Sequence, residues 1–144
     1  MKTKTLSFAL TLVVFCMLAG NIFGQSTLKL RATVPFDFEA SGKMFAAGQY
    51  EVTQLEPNYL VLRNVNTRSS ALEHTAQAHI DSKARGKNAL LFHSLHGHYF
   101  LAQIATQSSL TAHQLSVSEH EKEMAKATPK TLQASVSVTA NVGR

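Results

Sequence analysis

Apolar and polar residues alternate along much of the chain after its first 27 positions. The clearest case is LKLRATVPFDFEA at 28–40, where every second residue is apolar. A period of two is typical of a β-strand with one buried face. Pro35 falls on the polar side and has no N–H to donate, so it predicts a sheet edge, a bulge or a bend. The apolar face is formed by Leu28, Leu30, Ala32, Val34, Phe36 and Phe38.

Further strands follow between turn signals. AAGQYEVTQL predicts a strand opened by Gly48, and YLVLRNV at 59–65 is apolar on both faces, as in a central strand. ASGK and EPN predict turns, and the polar segments 66–74 and 81–88 predict loops. TAQAHI is a weaker strand. The alternating segment 132–142 predicts a closing strand that pairs with another edge, the first strand being one candidate.

The histidine-rich stretch LLFHSLHGHYFLAQI predicts a β-hairpin with strands at 89–95 and 98–106. His96 and Gly97 fit a two-residue turn, because both residue types tolerate positive φ. Pairing Leu95 with His98 would place His93 opposite Phe100. Both faces are largely apolar, so this hairpin should lie centrally in the fold.

One helix is predicted, in SVSEHEKEMAKATP. Ser118 and Glu121 fit a capping box, and Pro129 stops the helix. Its apolar face is small, which indicates a short surface helix. With about seven strands and one short C-terminal helix, the chain is predicted to be all-β, either a small β-sandwich or an open β-barrel.

The first 24 residues predict a secretory signal peptide, with the basic start MKTK, the apolar run LSFALTLVVFCMLA and a small residue, Gly24, before the cut. An uncleaved anchor is the alternative, but a spanning helix needs about 20 apolar residues. Cleavage would leave 25–144 as a single β domain without a membrane span, in the periplasm or outside the cell. Cys16, the only cysteine, would be removed, which excludes a disulfide and thiolate chemistry.

Removing Lys2 and Lys4 from the 14 Lys and Arg leaves 12 basic against 9 acidic residues, a net charge of +3. This mild and scattered charge argues against a nucleic-acid partner. The partner is therefore left open between a cell-envelope component and another protein. Asp37 and Glu39 are predicted to be surface charges.

The sequence contains no catalytic motif of the serine-hydrolase, phosphate-loop or zinc-protease type, so no catalytic residue and no cofactor is predicted. A metal site is the less favoured interpretation of the histidines and would use His79, His93 and His98. Six aromatic residues are core candidates that could also line an apolar ligand pocket. They are Phe36, Phe38, Tyr50, Phe92, Tyr99 and Phe100.

VPFDFEASGKMFAAGQYEV at 34–52 resembles a family of small secreted acidobacterial proteins that carry a signal peptide, a Val-Pro-Phe-Asp-Phe strand, a Gly-Lys turn and an Ala-Gly-x-Tyr-x-Val strand. The hairpin is similar to the Phe-His and Tyr-Phe-Leu hairpin of this family, and His93 matches that pattern. His96 and His98 lie where the chain departs from it. The resemblance implies an exported β domain and carries no catalytic signature.

These features favour an exported, non-enzymatic binding or cell-envelope interaction module. Two alternatives remain. The first is a small barrel that carries an apolar ligand between its aromatic residues. The second is a metal-dependent enzyme that uses the histidine-rich hairpin.

Overall fold

The computed structural model describes residues 28–143, and the predicted signal peptide lies outside this range. The described chain forms ten strands, one α-helix and a short 3₁₀ turn at Lys130–Leu132. The elements are β1 (Lys29–Val34), β2 (Phe38–Ala40), β3 (Lys43–Phe45), β4 (Gly48–Glu56), β5 (Tyr59–Asn64), β6 (Ser70–His79), β7 (Ala89–Leu95), β8 (His98–Ala105), β9 (Thr111–Leu115), α1 (Glu119–Ala127) and β10 (Gln133–Val142).

Eight of these strands form a closed antiparallel barrel. Their order around the barrel is β1-β4-β5-β6-β9-β8-β7-β10, and β10 pairs with β1 to close it. The β2–β3 hairpin is attached outside this ring, where β2 runs parallel to β8. The all-β prediction with one short late helix is confirmed. The count of about seven strands was too low, and the sheet closes on itself, so the fold is neither a sandwich nor an open barrel.

Three of the ten strands, β2, β3 and β9, were not predicted as separate strands. The alternating segment 28–40 is interrupted at Pro35, so it forms β1 and β2 instead of one long strand. The loop predicted at 66–74 was too long, because β6 begins inside it at Ser70. Apolar alternation is absent from β6 because polar Glu73 and Thr75 are buried, whereas Leu72 is 55% exposed.

The predicted hairpin is confirmed, including the turn with φ of +50° at His96 and +81° at Gly97. Leu95 pairs with His98, and His93 lies opposite Phe100. Between Phe92 and Leu91 the register shifts by one residue, because Phe92 pairs with Leu101 and Leu91 with Gln103, which leaves Ala102 of β8 without a paired residue on β7. Because of this shift, Ile104 pairs with Leu90, and both side chains lie in the core.

The two ends of the barrel differ in what fills them. We call the end that carries Val34, Leu95 and His98 the helix end, because α1 connects β9 to β10 there. Aromatic side chains pack at this end. The opposite end, which carries Lys29, Ala89 and Thr111, is called the far end. The interior towards the far end becomes polar, with buried residues Glu73, Thr75 and His113.

The helix begins where the capping box predicted. Ser118 is the N-cap, and its Oγ accepts a hydrogen bond from the N–H of Glu121 at 3.0 Å. The helix ends at Ala127, before Thr128 and Pro129, as expected. The side chain of Glu121 is buried and hydrogen-bonded to His93 of β7, so this residue also joins the helix to the barrel.

The turn of the β7–β8 hairpin depends on the left-handed backbone at Gly97. We expect Gly97→Ala to lower the free energy of unfolding by about 1 kcal/mol, because a Cβ strains this backbone although the space around it is open. Urea denaturation measures the change. His96→Asn is the matched control, since Asn tolerates positive φ and should cost nothing. Equal losses in the two variants would contradict this account.

Burial lowers the pKa of the His113 imidazole below its ordinary value of 6.5. The unfolded chain therefore takes up a proton at this site before the folded chain does, so the free energy of unfolding should fall as pH decreases below about 6.5. We expect His113→Asn to lose less stability than wild type between about pH 7.5 and about pH 5.5. Urea denaturation at both pH values is the measurement, and parallel losses would exclude this contribution.

Candidate functional site

The helix end collects most of the chemically interesting side chains. It combines His93, Tyr99 and Phe100, which the sequence marked as candidates, with residues of β2 and α1 that it did not mark. The histidine-rich hairpin supplies one wall, because β7 ends and β8 begins here. The first turn of α1 supplies the other wall. Two carboxylate–imidazole pairs hold α1 here, one to β2 and the other to β7.

In the first pair, the carboxylate is on strand β2 and the imidazole on the helix. Oε2 of Glu39 lies 2.7 Å from Nδ1 of His120, and Oε1 accepts a hydrogen bond from the Ser118 hydroxyl at 2.5 Å. Glu39 is only 6% exposed, so the prediction of a surface charge was wrong for this residue. Asp37 is exposed as predicted, and its Oδ1 accepts from the N–H of Ala47 at 2.7 Å.

In the second pair, the roles of the two elements are reversed. Nδ1 of His93, on β7, lies 2.7 Å from Oε1 of Glu121 on the helix. Glu121 is 6% exposed, and the His93 side chain remains partly accessible. Both carboxylates of these pairs are buried, and each has an imidazole as a hydrogen-bond partner. Together the pairs fix α1 to β2 and β7 through two adjacent helix residues.

The first pair also orients a ring beside a small cleft. Holding Nδ1 of His120 against a carboxylate fixes the orientation of the imidazole, as second-shell carboxylates do for metal-binding and catalytic histidines. The cleft has a volume of about 250 Å³ and is also lined by His98 and Phe100. The ring centroid of His120 lies 6.2 Å from that of His98 and 5.6 Å from that of Phe100.

The three histidines proposed as metal ligands do not form one site. His93 pairs with Glu121, and His98 borders the cleft beside His120. His79 lies on β6 towards the far end, where its Nε2 is 3.3 Å from the Arg85 guanidinium. In the part of the chain that the structure describes, no group of three or more His, Cys, Asp or Glu side chains is placed to hold a metal ion.

The six aromatic pocket candidates do lie close together. The ring of Phe92 contacts those of Phe36 and Phe38, with centroids 5.2 Å apart in both cases. Phe38 also packs against Tyr50 at 5.1 Å, and Tyr99 stacks on Phe36 at 3.8 Å. These five rings pack against one another at the helix end. Tyr99 also lines the cleft beside His120, together with the sixth candidate, Phe100.

A larger groove runs between α1 and strands β7 and β10, with a volume of about 520 Å³. Lys122 and Lys126 line it one helical turn apart, at the side of α1. Ser135 also lines the groove, and its carbonyl oxygen accepts a hydrogen bond at 2.8 Å from Nζ of Lys83, in the loop between β6 and β7. The apolar lining comes from Leu95, Val117, Ala125 and Ala134.

Several of these residues were missed by sequence reasoning. Glu39 follows an alternation that assigned it to the solvent face, and no local signal marked its burial beneath α1. The capping box did single out Ser118 and Glu121, but only as helix-start residues. The sequence shows a glutamate next to a histidine in that first turn, but no local pattern indicates that either side chain contacts another element.

Of the helices within residues 28–143, none has the length and hydropathy needed to cross a membrane. No protein-family model, curated protein or solved structure matches the chain. The resemblance to secreted acidobacterial proteins therefore stays a prediction, and the site has to be interpreted from its own residues.

The carboxylate of Glu39 is the centre of the first pair. We expect Glu39→Gln to lower the free energy of unfolding by about 1.5–3 kcal/mol, because an amide cannot replace both charge-assisted hydrogen bonds. Hydrogen exchange should increase most at the amides of α1. Glu119→Gln is the control, since Glu119 is an exposed carboxylate whose loss should change stability by less than about 0.5 kcal/mol. If Glu39→Gln lowered the free energy of unfolding no more than Glu119→Gln does, Glu39 would not stabilise the attachment of α1.

Proposed function

We propose that this protein is an exported, non-enzymatic binding module of the cell envelope, and that its groove beside α1 binds small amphiphilic anions. Export follows from the signal peptide predicted in the first 24 residues. The observation that carries the binding proposal is the combination of an apolar surface with lysine ammonium groups in one groove.

The lining of the groove divides by chemistry. Leu95 is buried at its base, and the side chains of Ala125 and Ala134 leave room beside it. A short hydrocarbon chain placed there would lose water contact, which is worth about 25 cal/mol per Å² of apolar surface. The volume of about 520 Å³ lies within the usual range for small-molecule sites.

The charges around the groove favour an anionic head group. Lys122 and Lys126 lie on the exposed side of α1. Nζ of Lys122 forms an ion pair with Oε1 of Glu119 at 2.6 Å. Glu121 also lines the groove, but its carboxylate is buried against His93, away from solvent. The accessible charge is therefore basic, as expected for a site that attracts a carboxylate or phosphate.

The aromatic cluster supports surface binding over carriage inside the barrel. A ligand carried between the rings would have to separate Phe36, Phe38 and Phe92, whose centroids are already at contact distance. The groove needs no such rearrangement. The carrier alternative is thus less consistent with the packing than binding beside α1.

Isothermal titration calorimetry with octanoate tests the proposal. We expect saturable binding of octanoate and none of acetate, because the head group alone cannot use the apolar surface. Lys126→Gln should weaken octanoate binding about two- to fivefold, the effect of one exposed charge. Ala125→Phe should abolish binding by filling the groove. Lys130→Gln is the matched control, since Lys130 lies just beyond the helix and does not line the groove.

The alternative results are equally clear. If octanoate does not bind, or if it binds Ala125→Phe as tightly as wild type, the groove is not the site. A loss of affinity in Lys130→Gln equal to that in Lys126→Gln would indicate attraction by the overall charge only. Thermal unfolding of each variant shows that the fold is intact before binding is compared.

A further inference from the structure

A second cavity lies at the far end of the barrel, opposite the helix, and has a volume of about 480 Å³. Barrel mouths are a common place for small-molecule sites. Its lining is rich in amides and hydroxyls contributed by β4, β6, β9 and the loops before β7 and after β8. The polar groups include Gln54, Gln77, Asn88, Ser109, Thr111 and His113.

These lining groups are neutral and can both donate and accept hydrogen bonds. Thr111 donates from Oγ1 to Oε1 of Gln77 at 2.5 Å, which holds both side chains at the rim. Lys29 also lines the cavity, but its ammonium lies 3.6 Å from the carboxylate of Glu51. The site therefore matches a ligand that is uncharged and carries several hydroxyl groups.

His113 fits the same chemistry. Its Nδ1 lies 3.3 Å from Oγ1 of Thr75, a residue that is buried in the barrel. Burial lowers the pKa of His113, which keeps the imidazole neutral near pH 7. In either neutral tautomer, Nε2 can then donate or accept one hydrogen bond without adding charge to the cavity.

We infer that the far-end cavity is a binding site for a small neutral polyhydroxylated molecule, of the monosaccharide or cyclic polyol class. Gln77, Ser109, Thr111 and His113 hydrogen-bond the hydroxyls of this molecule. The site is separate from the groove beside α1 and does not depend on it.

Titrations followed by ¹H–¹⁵N NMR test this inference, with D-glucose and myo-inositol as probes. We expect saturable shifts confined to the far end, at β6, β9 and the loop after β8, for at least one of the two probes. Gln77→Ala and Ser109→Ala should each weaken binding about three- to tenfold, the effect of one hydrogen bond. Gln114→Ala is the matched control, because Gln114 adjoins His113 on β9 but faces away from the interior.

Charged probes complete the experiment. Choline and acetate should give no saturable shift at this site, because the lining offers hydroxyl and amide partners in place of a counter-ion. Saturation by choline in place of the polyols would overturn the assigned ligand class. Absence of saturation with both polyols, or equal affinities for Gln77→Ala and Gln114→Ala, would overturn the site itself. The spectra of the unliganded variants report directly whether each one is folded.

Discussion

Closure of the sheet by β1 and β10 is the constraint on which the rest of the structure depends. Leu30 pairs with Val142 and Ala32 with Ala140, so the strands of residues 29–34 and 133–142 become neighbours. Closure gives every barrel strand a paired neighbour on each side and defines one interior that side chains must fill. It also creates two ends. The helix end is filled by aromatic rings, and the far end is left polar and open enough for a cavity.

The two ends present different chemistry because they are completed in different ways. At the helix end, α1 covers the barrel wall beside the hairpin and leaves a groove with lysines on its exposed side. At the far end, strands stop and short polar loops surround the opening. The proposed amphiphile groove and the proposed polyol cavity follow from this difference. A protein of this size can thus offer two unlike surfaces without a second domain.

Much of the fold was predictable because periodicity reports directly on burial. The segment containing Tyr50 and Val52 and the turn of the hairpin around Gly97 followed the expected pattern. The last strand was also located correctly, although Val142 on its apolar face is 72% exposed. Prediction failed where polar residues face inwards. Glu73 removed the apolar signal from β6, and Glu39 alternated correctly but was buried by a helix some 80 positions later in the chain. Such contacts depend on tertiary packing, which a local pattern does not contain.

The opposite orientation of the two carboxylate–imidazole pairs also fixes the register of α1, that is, which helix residue faces Glu39 and which faces His93. If the helix advanced by one residue, Glu121 would face Glu39 and Lys122 would face His93. If it moved back by one residue, Glu119 would face Glu39 and His120 would face His93. Either displacement sets an acid against an acid and a base against a base. The four-residue string Glu-His-Glu-Lys at 119–122 therefore disfavours both neighbouring alignments as well as stabilising the correct one.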